Sequence, residues 1–88
     1  MTSELIKQKI NESFQPEIIE IIDDSAAHAG HAGARQGGGH YNVTIVAAAF
    51  EGKSLVQRHQ LIYQALGDLM KTEIHALGIN ALTPSENL

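Results

Sequence analysis

The sequence predicts an α+β domain of order αββ(αα)β: a three-stranded mixed sheet with its helices packed on one face. Three observations carry this. Apolar residues recur at helical spacing in two places, from Thr2 to Phe14 and from Ser54 to Leu69. Three short runs, Ile18–Ile22, Tyr41–Ala49 and Ile74–Leu82, are apolar or alternating enough for strands. The connections then set the directions. A glycine-rich link joins the first two strands and allows an antiparallel pair, whereas a helical link between the second and third is a right-handed parallel crossover. The helices must cover one face of that sheet.

In chain order, Thr2 or Ser3 is placed to cap a first helix. Leu5, Ile6, Ile10 and Phe14 form its apolar face, with Lys7, Lys9 and Glu12 outside, and Pro16 stops it. The β-branched run Ile18–Ile22 follows as a strand, closed by Asp23-Asp24-Ser25. From Ala26 to His40 the chain holds five of its eight glycines and three of its five histidines. Backbone this rich in glycine is costly to order, and a loop this long inside a small domain tends to be functional or disordered. In the second strand Tyr41, Val43, Ile45, Ala47 and Ala49 share one face, and Asn42, Thr44, Val46 and Ala48 share the other.

Phe50-Glu51-Gly52-Lys53 turns into the second helical segment. Ser54 is its cap, and Gln57 stands where a capping box wants Glu or Gln. Leu55, Ile62, Leu66 and Leu69 make its apolar stripe; Gly67 weakens the late turns, and a break is expected near Arg58. The third strand ends at Thr83-Pro84, and Thr83 to Leu88 reads as a short tail. The whole, residues 1–88, reads as one domain.

Composition excludes several functions. With 43% apolar residues the chain can bury a modest core. Its formal net charge is −4, so it has no global attraction for phosphate backbones. It has no cysteine, which removes disulfides and thiolate ligands from within the chain. No run reaches membrane-spanning length and no signal-peptide core is visible, so a cytoplasmic protein is the expectation, a removed targeting segment aside. Gly52-Lys53-Ser54 sits between strand and helix, but Ala47 occupies the position where a phosphate-binding loop needs its first glycine. Asp23-Asp24 lacks a partner base and reads as a solvated turn. No nucleophile–base–orienter set is present, and no catalytic residue or enzyme is predicted.

The histidines are the remaining chemistry. Parallel strands start at the same end of a sheet, so His40 and His75 should lie near one edge. The segment carrying His28 and His31 leads into that edge, and four histidines converge there. Neutral imidazole is the commonest side-chain metal ligand. Solvated loop histidines and a polar strand terminus are the plainer alternatives. His59 falls on the helix's apolar side and is expected to be structural, bonding a backbone group at the helix start. Lys53 and Arg58 are expected to be exposed, available to a partner or a phosphate.

An ordered set of residues runs through these elements: Phe50, Gly52, Arg58-His59, Tyr63, Ile74-His75-Ala76-Leu77 and Thr83-Pro84, with Asp24-Ser25 and His28-Ala29-Gly30-His31 upstream. In its spacing the set resembles the BolA family, over nearly the whole chain. Gln60 stands where that family often has a second arginine after the histidine. The resemblance implies a KH-like fold and a non-enzymatic partner of monothiol glutaredoxins, pairing with one as a heterodimer. The two would share a [2Fe-2S] cluster or related metal with glutathione, for cluster assembly and transfer or iron and redox regulation. It implies His75 and His28 as ligands, with His31 a substitute and His40 a less favoured one. Thiolates would come from the partner and glutathione, so the isolated chain should bind no cluster. The alternative it implies is a DNA-binding transcriptional regulator of stress response and morphology. Against that stand the negative charge, Gln60, and a glycine-rich segment between strands, where KH domains have Gly-x-x-Gly between helices. An exposed strand edge also leaves a homodimer open.

Overall fold

The computed structural model describes residues 2–24 and 39–88. The described order is α1 (Thr2–Phe14), β1 (Ile18–Asp23), β2 (Gly39–Val46), α2 (Leu55–Leu66), α3 (Leu69–Thr72) and β3 (Ile74–Leu82), with short 3-10 turns at Ala48–Phe50 and Ser85–Asn87. The sheet runs β1-β2-β3. β1 pairs antiparallel with β2, and β2 pairs parallel with β3. The α+β architecture, the strand order and both directions are those the connections predicted, and β3 has the predicted bounds.

The core lies between one face of this sheet and the helices. Ile6 and Ile10 from α1, Val43 and Ile45 from β2, and Ile62 and Leu66 from α2 are buried together, and Phe14 stacks at a tilt on Phe50 with ring centroids 5.1 Å apart. Burying each of the large aliphatic side chains is worth about 1.5–3 kcal/mol, which is how a domain this small stays folded.

Several local expectations are corrected. α1 already includes Thr2, so neither Thr2 nor Ser3 is its cap; Thr2 Oγ1 instead donates to Glu73 Oε2 at 3.3 Å. Leu5 is exposed and Ile6, Ile10 and Phe14 alone line the buried face. β2 stops at Val46, and Ala49 belongs to the 3-10 turn that carries Phe50 into the core. The capping box at Ser54 and Gln57 is present, with both reciprocal bonds made. The helical segment breaks at Gly67, at φ 52°, and not near Arg58. A φ of that sign suits glycine, so the break falls where a side chain is least missed. Leu55 is 64% exposed, and the buried stripe of α2 is Arg58, Ile62 and Leu66, four residues apart.

Candidate functional site

Two ends of the sheet carry polar chemistry. At the start of β2 and β3, the imidazoles of His40 and His75 face one another with ring centroids 5.0 Å apart. His75 is exposed and His40 half-buried. This is the juxtaposition that parallel strand starts predict.

A bulge brings it about. Gly39 pairs with Ile74, but His40 pairs with Ala76, and that new register holds to Val46 and Leu82. His75 is therefore the extra residue on β3. Bulges commonly re-aim a side chain beside a functional site. Here the slip lets Ile74 stay buried while His75 and Ala76 both face outward, after which Leu77, Ile79 and Ala81 resume the inward phase. The backbone anchors the slip: Gly39 N–H donates to Glu73 O at 3.1 Å.

Beside the pair, Asp24 N–H donates to His40 O at 2.7 Å, extending the antiparallel ladder past β1. Asn42 Nδ2 donates to Asp24 Oδ2. Asp24 is thus half-buried with an amide partner, and is not the solvated turn residue expected. His28 and His31, and residues 26–38 of the loop, lie outside the described residues; His40 itself belongs to β2. Among the described residues no group of three or more His, Asp or Glu side chains is arranged to hold a metal.

The other end belongs to Arg58, and it overturns an expectation. Arg58 is only 6% exposed. Its Nε donates to Lys53 O at 3.0 Å and its Nη1 to Ala81 O at 3.0 Å, while Nη1 and Nη2 grip both oxygens of Glu86. Thr83 N–H also donates to Glu86 Oε1 at 2.9 Å. The presumed tail is therefore a turn that closes over Arg58. The Arg58 fork, then the Thr83 N–H, hold the Glu86 carboxyl down at about 2, and Glu86 in turn raises the guanidinium. Arg58 does the structural work expected of His59, whose ring is half-buried and makes no side-chain hydrogen bond among the described residues. Lys53 remains half-buried, lining a shallow cavity of about 290 Å3 with Gly52, Gln57 and Gln60. Sequence reasoning missed Arg58 because a long charged side chain normally reads as surface. The signal was its place four residues before Ile62.

No described helix is long and apolar enough to cross a membrane.

A family model described as BolA-like protein matches residues 10–86. The chain is 46% identical over 86 residues to SufE-like protein 1, chloroplastic/mitochondrial, of Arabidopsis thaliana, covering 92% of this chain and 23% of that one. It is 41% identical over 85 residues to Protein BOLA1, chloroplastic, of the same plant, covering 93% and 53%. It thus spans about a quarter and about half of these two curated relatives. It is 36% identical over 86 residues to the DNA-binding transcriptional regulator BolA of Vibrio cholerae, covering 98% and 78%. Among solved structures, BolA1 from Arabidopsis thaliana superposes with a TM-score of 0.83 at 36% identity, covering 98% of this chain and 95% of that one. The BolA domain of SufE1 from Arabidopsis thaliana gives 0.79 at 46% identity, covering 92% and 90%.

Proposed function

The chain belongs to the BolA family, and on that premise we propose that it is a non-enzymatic partner of a monothiol glutaredoxin, sharing a [2Fe-2S] cluster or related metal in cluster transfer or iron and redox regulation. The observation that supports this best is the His40–His75 pair. The two rings lie with centroids 5.0 Å apart and planes tilted by 44°, close enough for one metal ion to be held by both. The donor chemistry suits a shared site. The chain has no cysteine, and the described residues bring two imidazoles together with no third donor. The thiolates would come from the partner's cysteine and from glutathione.

In this reading His75 holds the metal, and the bulge fixes its reach. His40 is raised by its position to a direct candidate for the second ligand, alongside His28 and His31. The group would supply one-electron iron–sulfur chemistry, at a potential raised by imidazole in place of thiolate. The chain's own part is to present neutral imidazole. A cytoplasmic setting belongs to the same reading.

The test is anaerobic reconstitution with a monothiol glutaredoxin and glutathione, followed by visible absorption and circular dichroism. A mixed-complex spectrum distinct from that of the glutaredoxin alone, and lost in His75→Ala, is the expected result. A spectrum identical to the glutaredoxin's own, with and without the chain, overturns it.

A second reading, a DNA-binding regulator, is favoured by the names carried by the Vibrio cholerae and Haemophilus influenzae relatives. Arg58 is engaged by Glu86, which leaves Lys53 as the expected contact at the start of α2. DNA binding that weakens steeply with salt, and that Lys53→Ala reduces, would favour it.

A further inference from the structure

The outer face of the sheet, opposite the helices, dips beside the histidine pair. A cavity of about 280 Å3 lies there, lined among others by Asp24, His40, Asn42, Ala76 and Gly78. Its shape follows from small residues on β3. Asn42 and Gly78 are register partners, and a Cβ at Gly78 would overlap Asn42 Oδ1. Gly78 thus lets the Asn42 amide lie across the strands with its NH2 group on Asp24. That orientation is the chemically consistent one, since a carboxylate accepts and only Nδ2 can donate.

The consequence is an acceptor-lined recess. Asn42 spends a donor on Asp24, leaving Asn42 Oδ1 and the second Asp24 oxygen as acceptors. Among the described residues no lysine or arginine lines the cavity. Its volume falls just below the roughly 300–1,000 Å3 of whole small-molecule sites, so it suits one end of a larger ligand. We infer that this cavity seats a primary ammonium group carried by whatever docks at the histidine end. The inference rests on the reading that a thiol-bearing partner meets His75. Glutathione carries one thiol and one primary ammonium; a lysine of the partner protein is the other source.

The first test needs no cluster. The 15N-labelled chain is titrated with n-butylammonium at pH 8, where imidazole is neutral. Saturable shifts of the Asn42 side-chain amide and the Gly78 backbone amide are expected, with none from N-butylacetamide. Asp24→Asn keeps the shape and should weaken binding about tenfold, as loss of a charge-assisted bond does. Asn42→Lys, at an exposed strand position, supplies its own ammonium to Asp24 and should abolish the response. Absence of a saturable shift, an equal response to the amide, or undiminished binding in Asp24→Asn overturns the inference.

The mixed complex then separates the sources. If the penalty of Asp24→Asn vanishes with N-acetylglutathione, the ammonium is glutathione's; if it persists, it is the partner's lysine. If the parent complex never forms while the butylammonium response remains, the cluster reading falls and the cavity stands.

Discussion

Arg58 Nη1 lies 2.6 Å from Glu86 Oε1, and Nη2 lies 3.2 Å from Oε2. This two-pronged bond ties α2 to the chain's last turn across 28 positions of sequence, and the same guanidinium reaches the end of β3 through Ala81 O. A fork of fixed geometry can serve these partners at once, whereas an ammonium is a single point charge. Arg58→Lys and Glu86→Gln are each expected to lower the urea midpoint of unfolding, Arg58→Lys more. The double variant Arg58→Met/Glu86→Leu should recover part of the loss, because removing both partners strands no charge. A midpoint for Arg58→Lys equal to the parent's would show the clamp to be idle.

The clamp also sets a pH window. Glu86 titrates at about 2 in the fold against an ordinary value of 4.5. A depressed carboxyl stabilises the fold fully above its unfolded value, and the contribution is lost as pH falls through the folded one. The stability gap between parent and Glu86→Gln should therefore be constant above about pH 5, narrow from 4.5 downward, and close near 2. Denaturation curves across that range check it; a gap unchanged at pH 2.5 contradicts it.

His75 separates reach from packing. It is exposed, so His75→Ala should change stability by no more than about 0.5 kcal/mol. Deleting the residue is a different operation. It removes the slip and leaves Ile74, 4% exposed, directly before Ala76 and in the inward phase of Leu77, so the deletion should be tolerated, whereas deletion of a regularly paired residue would turn Ile74 outward at a cost of about 1.5–3 kcal/mol. Comparing the two variants by urea denaturation tests whether His75 is the bulged residue.

Gly67 holds φ 52° and ψ −124° at the end of α2, with its N–H donating to Tyr63 O at 3.0 Å. A Cβ there would meet only Gln64 O, at 3.8 Å, so the penalty of Gly67→Ala is conformational and not steric. A loss of about 1–3 kcal/mol is expected. An unchanged midpoint would mean that α2 and α3 can join into one helix without strain.

The sheet was legible because its signals are local. Run lengths and alternation mark the strands, and the type of connection fixes their direction. The bulge was also written in the chain: Leu77, Ile79 and Ala81 alternate, and Ile74 stands one residue out of that phase. The stripe of α2 was right at Ile62 and Leu66 and wrong only at its first position. Leu55 has helical spacing to Ile62, but the position that faces the core is Arg58, whose burial depends on Glu86 far down the chain. Periodicity cannot reveal a charge that is buried only because its counter-charge arrives from elsewhere. The Asp24–Asn42 bond is likewise a tertiary fact, since the two residues meet only after β1 and β2 pair.

The register slip is confined to one step, between Gly39 and His40, and every pair beyond it keeps a constant offset. A length change absorbed at that step need not re-thread the rest of the sheet. The histidine end of this fold is therefore open to insertion and deletion in a way that the Arg58 end, cross-braced to three separate segments, is not. Variation in the length of the β3 entry would adjust how far an imidazole protrudes while leaving the hydrophobic layer in place.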